Sequence, residues 1–188
     1  MLSRVPGSYA ATKAMEEEKT EAWRPCGLPW YAVKVRTRAE ERVGSLIRIK
    51  NIGVYVPTCV ETRRYTDRVK KARVALFPGY VFCALDIKKR LPVLTVPGVE
   101  YFVTFEGDPK PVADSELAAI DAALRSGLPA FPCEYLEVGD RVRVEVGSMA
   151  GVEGILVQEK SKDRLVISVN LLQRSMAVEI ERDWVVPV

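Results

Sequence analysis

The sequence predicts an α+β protein, with an N-terminal α/β sandwich followed by a small β-barrel. Two observations carry this prediction. Strand-type and helix-type periodicities alternate between residues 30 and 127, whereas beyond residue 134 short strand-type segments recur without a helix. The segment 128–134 separates the two patterns and holds two prolines, which predicts a linker with some stiffness. We therefore expect a disordered tail at 1–27, a first domain at 28–127, this linker, and a second domain at 135–188.

Within the first domain the elements are predicted in the order β-α-β-β-α-β-α. Strands are expected at 30–36, 54–60, 74–84 and 99–105, and helices at 38–50, 90–96 and 114–124. Thr37 and Glu40 have capping-box spacing, with Thr37 as N-cap and Glu40 reaching back to it. Pro57 favours an edge or a bulge, and Pro78-Gly79 interrupts the strand that contains it. The order predicts a sheet with antiparallel pairs, covered on one face by helices.

The second domain is predicted to be all β. Strands are expected at 138–144, 155–158, 165–169 and 176–180. Short strands at intervals of roughly ten residues, with no helix between them, are typical of a small β-barrel. Gly147, Gly151 and Gly154 suit tight turns and a close strand crossing at which a Cβ atom would collide.

Composition excludes several classes of active site. The chain of 188 residues has no histidine, which excludes Ser-His-Asp and Cys-His nucleophiles and His-ligated metals. The four cysteines form no Cys-x-x-Cys pair, so we expect reduced structural thiols without a zinc site. No glycine-rich phosphate loop is present either. The sequence therefore predicts no enzyme and no cofactor.

Apolar runs are too short for a membrane helix, and the N-terminus lacks a signal-like apolar stretch. We expect a cytosolic monomer that does not bind membranes.

Charge separates along the chain. Residues 28–127 hold 17 Lys/Arg and 11 Asp/Glu, net +6, whereas residues 128–188 hold 7 and 10, net −3. The densest cationic segment, 63–73, has six cations against Asp67, net +5. Its cations are Arg63, Arg64, Arg68, Lys70, Lys71 and Arg73. A hairpin tip of this composition is a candidate for sequence-tolerant contacts with phosphates, the alternative being an ordinary solvated loop.

An aromatic stretch follows this segment directly, from Leu76 to Phe82. Phe77 and Tyr80 flank the Pro78-Gly79 kink, which could present them outward as anchors, the alternative being that each ring packs in the core. The stretch Phe77-Pro78-Gly79-Tyr80 resembles that of NusG-type transcription elongation factors.

Further motifs extend the resemblance from Trp30 to the C-terminus. Trp30-Tyr31 precedes the Phe-Pro-Gly-Tyr stretch, Val96-Pro97-Gly98-Val99 follows it, and the C-terminal glycines come last, in NusG order. The last group resembles the KOW motif of SH3-like barrels, and comprises Gly139, Asp140, Val142, Gly147, Gly151 and Gly154. The resemblance implies an NGN domain that docks on the clamp helices of RNA polymerase, and a KOW barrel that recruits other machinery.

The resemblance also implies which residues bind. The polymerase-binding patch would comprise Trp30, Tyr31, Phe77, Pro78, Gly79, Tyr80 and Val81. The basic hairpin would contact upstream or non-template DNA. Separately from the resemblance, the opposite net charges of the two halves and the apolar aromatic patch would permit the C-terminal barrel to cover this patch until polymerase arrives.

The KOW partner surface departs from the pattern of general family members. Where those members tend to have an aromatic-Gly-Arg stretch, this chain has Leu171-Leu172-Gln173-Arg174-Ser175-Met176. The candidate contact residues are Leu171, Leu172, Arg174 and Met176, and the implied partners are a small-subunit ribosomal protein or Rho. The altered stretch resembles paralogues dedicated to particular operons, which favours a specialised antitermination factor over a general housekeeping one.

An RNA- or ribosome-binding protein of KOW type is the alternative from another class. The net charge of −3 in the C-terminal half argues against it, because a phosphate-binding surface requires cations.

Overall fold

A computed structural model describes residues 22–64, 69–135, 139–159 and 162–188, without the side chains of 62–70 and 159–162. The predicted tail, 1–27, lies mostly outside these residues. In the described part of this tail, the backbone N–H of Trp23 donates a hydrogen bond to a carboxylate oxygen of Asp121 at 2.9 Å. The Trp23 ring also lies 6.4 Å from that of Trp30, so this stretch packs against the folded chain.

The described residues form three helices and fifteen strands, which confirms the α+β prediction. The helices are α1 (Glu40–Arg48), α2 (Leu91–Leu94) and α3 (Asp114–Arg125). The first nine strands are β1 (Trp30–Val35), β2 (Gly53–Tyr55), β3 (Thr58–Arg64), β4 (Val69–Ala75), β5 (Tyr80–Ala84), β6 (Val99–Phe102), β7 (Thr104–Phe105), β8 (Asp108–Pro109) and β9 (Pro111–Val112). The remaining strands are β10 (Ala130–Cys133), β11 (Asp140–Val144), β12 (Glu153–Glu159), β13 (Lys162–Val169), β14 (Arg174–Ile180) and β15 (Val185–Pro187).

The first sheet has the antiparallel order β2-β5-β1-β6, and β9 also pairs with β1. Alternate residues of β1 face opposite sides. Tyr31 and Val33 therefore share a buried cluster with residues of α1 and α2, whereas Trp30 and Ala32 share one with α3. Helices cover both faces, so the prediction of a single covered face is wrong. The third helix buries its own apolar stripe, including Leu117, on the second face.

Prolines divide the strands of the first half. Pro57 separates β2 from β3, because it has no N–H to donate to a ladder. Of the strands that the structure describes, β3 pairs with β4 alone, outside the main sheet, with Thr58 opposite Ala75. The predicted interruption at Pro78-Gly79 is confirmed, since it separates β4 from β5.

The second sheet has six antiparallel strands in the order β10-β14-β13-β12-β11-β15. Among the described residues no pairing joins β10 to β15, so the sheet is open and a closed barrel is not confirmed. The segment predicted as a linker contains β10, with Ala130 opposite Val178. The edge strands β10 and β15 were not predicted from sequence, because each contains a proline, which weakens the strand signal. Pro132 and Pro187 are nevertheless compatible with edge strands, where a missing N–H is tolerated.

The helix α3 contacts both halves of the molecule. Its buried Leu117 and Ile120 belong to one apolar cluster with Trp30 of the first sheet and with Val142 and Ile167 of the second. The helix also contacts β13 directly. The C-terminal sheet therefore packs against the first half through α3.

Candidate functional site

The Pro78-Gly79 turn is anchored to the end of β1. Gly79 has φ +83°, a left-handed conformation that favours glycine, whereas the Lys34 Nζ atom that an added Cβ would meet ends a flexible side chain. The Gly79 carbonyl accepts a hydrogen bond from the Val35 N–H at 2.9 Å. The Tyr80 N–H donates to the Phe77 carbonyl at 3.1 Å, which closes the turn.

Two of the seven residues predicted to bind polymerase are accessible. Pro78 is exposed, and Tyr80 is half-buried with Lys34 Nζ 4.5 Å from its ring centroid. The buried members are Trp30, Tyr31, Phe77, Gly79 and Val81. The accessible surface of the turn is therefore an amphipathic platform of Pro78, Tyr80 and Lys34.

Phe77 is not presented outward, contrary to the expectation from sequence. Its side chain is 2% exposed, and its ring packs edge-to-face on Phe82 with centroids 6.0 Å apart. The turn directs Phe77 and Tyr80 differently because Phe77 precedes the turn and joins the apolar cluster that Leu76 also enters. Phe77 supports the turn from beneath.

Trp30 and Tyr31 lie on opposite faces of the sheet. Trp30 belongs to the cluster that contains Phe77, whereas Tyr31 packs edge-to-face on Phe102 at 6.3 Å on the α1 side. A single surface patch does not contain both side chains in this structure, because adjacent residues of a strand face opposite ways.

The second Pro-Gly turn converges on the same end of β1. The Arg36 N–H donates to the Gly98 carbonyl at 2.9 Å, one residue after the bond from Val35 to Gly79. Gly98 has φ +101°, and a Cβ atom there would lie 2.9 Å from Val43 of α1. Two motifs that are separate in sequence are thus brought together against one helix.

Glu40 was missed as a site residue. Its carboxylate Oε1 accepts hydrogen bonds from the Gly79 N–H at 2.6 Å and from the Arg38 N–H at 3.0 Å. The predicted capping box is wrong, since Ala39 is the N-cap of α1 and has no side-chain bond. The Thr-x-x-Glu spacing singled out Glu40, but a local pattern does not disclose a partner 39 positions away.

The basic hairpin is formed by β3 and β4. Backbone register places Arg63 opposite Lys70 and Thr62 opposite Lys71. The side chains of Arg63, Arg64, Arg68 and Lys70 lie outside the described residues. Lys71 and Arg73 are exposed, and Arg73 Nη2 donates to Thr58 Oγ1 across the strands at 3.0 Å. Arg73 therefore also ties the hairpin base together.

The glycines of the KOW-like segment serve two purposes. A Cβ atom on Gly154 would lie 2.5 Å from the Val166 carbonyl oxygen, which confirms the predicted close strand crossing. Gly147 and Gly151 instead have φ of +82° and +88° in open space, as tight turns require. Of the other predicted members, Gly139 precedes β11, Asp140 begins it and Val142 is buried in it.

The candidate partner surface is mostly internal. Leu172 is 7% exposed and Met176 is fully buried, so their expected apolar contact with a partner is not available in this structure. Leu171 is half-buried, whereas Arg174 is exposed. Gln173, between them, has φ +49°, the left-handed conformation in which glycine is favoured.

A polar cluster joins α3 to the second sheet. Glu116 Oε1 accepts from Asn170 Nδ2 at 2.8 Å, and the Tyr135 hydroxyl donates to Asn170 Oδ1 at 2.8 Å. Burial raises the pKa of Glu116, while the bonds from Asn170 oppose that effect. A cleft of about 1180 Å³ lies beside this cluster, between α3 and the glycine-rich segment.

All four cysteines are free thiols. Burial raises the pKa of Cys83 to about 12 and that of Cys133 to about 11, and it also raises the pKa of Cys59. These three thiols are protonated at neutral pH and are therefore poor nucleophiles. Among the side chains that the structure describes, no group of three His, Cys, Asp or Glu residues could hold a metal ion.

A family model described as transcription termination factor nusG matches residues 28–121, which is half of the chain. The chain belongs to the NusG family. This confirms the NusG resemblance, and the Phe77-Pro78-Gly79-Tyr80 motif lies within the matched residues. The NusG family consists of transcription factors and not of known enzymes.

Similar proteins cover most of the chain. The transcription termination/antitermination proteins NusG of two Helicobacter pylori strains, 26695 and J99, are each 24% identical over 167 residues, covering 81% of this chain and 94% of the relative. A solved structure of Thermotoga maritima NusG, described as showing domain interaction in that protein, has a TM-score of 0.53 and 24% identity. It covers 85% of this chain and 97% of its own, and it shows the NusG-like fold. Within the described ranges, no helix has the length and hydropathy needed to cross a bilayer.

Proposed function

We propose that this chain is a transcription antitermination factor that binds the clamp helices of RNA polymerase through its first half, 28–127. The carrying observation is the family match over 28–121, with the anchored Pro78-Gly79 turn inside the matched region. Pro78 and Tyr80 supply the accessible anchors, and the Lys34 ammonium adds a positive charge beside them. Bound in this way, the factor bridges the polymerase cleft, keeps the clamp closed around nucleic acid and suppresses pausing.

Binding to reconstituted elongation complexes tests this proposal. Tyr80→Ala removes an accessible anchor, and we expect affinity to fall about tenfold, since aromatic anchors dominate many interfaces. Phe105→Ala is the matched control, because Phe105 is a 56% exposed aromatic residue on β7, which belongs to the β7-β8 hairpin and not to the sheet that carries the platform. Circular dichroism confirms folding of both variants. Failure of the wild-type protein to bind, or equal binding by both variants, contradicts the proposal.

We further propose that the basic hairpin contacts DNA phosphates near the polymerase. Two observations support this proposal. Lys71 is exposed, and Arg63 lies opposite Lys70 in the backbone register of β3 and β4, so several cationic residues belong to one hairpin. Lys71→Ala should lower the slope of log affinity against log salt by about 0.7–1, one phosphate contact. The exposed Lys110, outside the hairpin, provides the control. An unchanged slope argues against a DNA contact by Lys71.

The specialised role is supported by the 171–176 loop. Gln173 occupies a left-handed position that suits glycine, and the exposed Arg174 is the one candidate there with an accessible charge. We propose that this loop selects a partner other than that of general factors, and that the second half, 135–188, acts as the KOW unit joined by 128–134. A small-subunit ribosomal protein or Rho is the partner to test first.

Genome-wide occupancy distinguishes a specialised factor from a general one. A factor dedicated to particular operons should be found on few transcription units, with the polymerase bound there. Association with most transcribed genes would instead establish the general housekeeping role.

A further inference from the structure

The most deeply placed acidic group near the turn is the carboxylate of Glu40. Its residue is 5% exposed, although it belongs to the first turn of α1, where glutamates are normally solvated. Its neighbour Glu41 is exposed in the same helical turn. A carboxylate retained in such a place requires hydrogen bonds to offset the loss of hydration.

The bonds that Glu40 accepts come from backbone N–H groups, one of them in the turn. Gly79 donates at 2.6 Å and Arg38 at 3.0 Å, both to Oε1. Charge-assisted bonds of this kind are shorter and stronger than neutral ones. The bond to Gly79 therefore ties the Pro78-Gly79 turn to the start of α1.

The bond completes the fixation of Gly79. The Gly79 carbonyl accepts a hydrogen bond from the Val35 N–H at 2.9 Å, and the Gly79 N–H donates to Glu40. Both backbone polar groups of Gly79 are therefore hydrogen-bonded. With both groups held and φ at +83°, the residues on either side keep their directions. Pro78 stays exposed and Tyr80 stays beneath the Lys34 ammonium.

We propose that Glu40 is a positioning residue for the polymerase-binding turn, an inference that rests on the proposed function. It touches no partner itself and acts through the Gly79 N–H. Loss of its carboxylate leaves that N–H without its acceptor and frees the turn to reorient. The platform of Pro78, Tyr80 and Lys34 then spends less time in the shape that binds.

The first test needs no variant. In the full wild-type chain, the Gly79 amide should exchange with solvent at least about a hundredfold more slowly than an unprotected amide, since a buried acceptor holds it. Exchange at the unprotected rate overturns the proposal.

The second test compares three variants for folding, for the Gly79 amide resonance and for binding to elongation complexes. Glu40→Ala removes the acceptor, Glu40→Gln keeps an oxygen acceptor of the same reach, and Glu41→Ala removes an exposed carboxylate from the same helical turn. Glu40→Ala should shift the Gly79 resonance and weaken binding about tenfold. Glu40→Gln should restore binding to within about threefold of wild type, and Glu41→Ala should leave it unchanged.

A double-mutant cycle with Tyr80→Ala separates positioning from general destabilisation. If Glu40 acts through the turn, Glu40→Ala should weaken binding by no more than about twofold in the Tyr80→Ala background, which is about the error of additivity. Equal effects in both backgrounds, or a folded Glu40→Ala protein that binds as wild type, overturn this inference alone. A wild-type chain that does not bind elongation complexes overturns the proposed function and this inference together.

Discussion

Glu116 and Asn170, 54 positions apart, are joined by a 2.8 Å hydrogen bond from the Asn170 side-chain amide to the Glu116 carboxylate. The bond connects α3 to the turn between β13 and β14, and Tyr135 extends it from the other side. It is a polar contact between the halves beside an otherwise apolar contact region. Changes at Glu116 therefore report on how the halves are held together.

The pH dependence of stability should reveal the burial of Glu116. Because burial raises its pKa in the folded state, the folded protein holds this proton more tightly than the unfolded chain. The stabilising effect of that proton is full below the ordinary value of 4.5 and is lost as pH rises through the folded pKa.

Glu116→Gln should therefore stabilise the protein at pH 7, and this gain should shrink towards pH 4. Glutamine keeps the oxygen that Asn170 contacts but carries no charge to desolvate. Urea unfolding of both proteins at several pH values measures the difference, with Glu100→Gln as an exposed control on β6. A gain that is independent of pH would show that ionisation of Glu116 is not the cause.

Gly154→Ala should destabilise the second sheet by about 2–4 kcal/mol. The added Cβ atom would meet the Val166 carbonyl oxygen at 2.5 Å, and a backbone atom cannot rotate away. Gly151→Ala is the comparison, because its Cβ atom would enter open space and its φ of +88° costs about 1–2 kcal/mol. Thermal unfolding of both variants should rank Gly154→Ala as the more damaging change.

Gln173→Gly should stabilise the protein by about 0.5–1 kcal/mol. Gln173 is held at φ +49°, which glycine adopts without strain, and the bond lost from its side chain to the Asn170 carbonyl is exposed. Gln158→Gly, at an exposed position inside β12, should instead lower stability by about the same amount. Equal losses for the two variants would contradict the strain assigned to Gln173.

Alanine substitutions of Phe77 and Tyr80 should have different effects on the free energy of unfolding, because Phe77 is buried and Tyr80 is half-buried. Phe77→Ala should lower the free energy of unfolding by about 3–5 kcal/mol, because it empties a buried site against Phe82. Tyr80→Ala should cost about 1 kcal/mol or less, since its ring is half-buried at the surface. Denaturant titrations measure both values, and a small loss for Phe77→Ala would contradict its place in the core.

Several local features could be predicted from sequence because adjacent residues determine them. The break at Pro78-Gly79 follows from the missing N–H of proline and the conformational freedom of glycine, and it lies where expected. The helix predicted at 38–50 is observed as α1, because apolar residues at helical spacing require one buried face. The close crossing at Gly154 was likewise recognisable from glycine spacing in a strand-rich segment.

Other features depend on partners that are distant in sequence. Glu40 had the pattern of a local cap, yet its carboxylate binds Gly79 because folding brings the turn beside α1. Phe77 and Tyr80 are both aromatic residues beside the turn, so the sequence pattern does not distinguish the buried one from the accessible one. The direction of each side chain at the turn decides that Phe77 is buried and Tyr80 is half-buried. The edge strands β10 and β15 carry prolines that weaken the strand signal, so their place depends on pairing with β14 and β11.

The sequence by itself determined the family, the order of the main elements and the two Pro-Gly turns, because these depend on residue type and short-range spacing. The tertiary structure alone decided which aromatic side chains remain accessible, which face each helix covers and what Glu40 holds. Those outcomes follow from burial and from hydrogen bonds between distant segments, which no local pattern encodes.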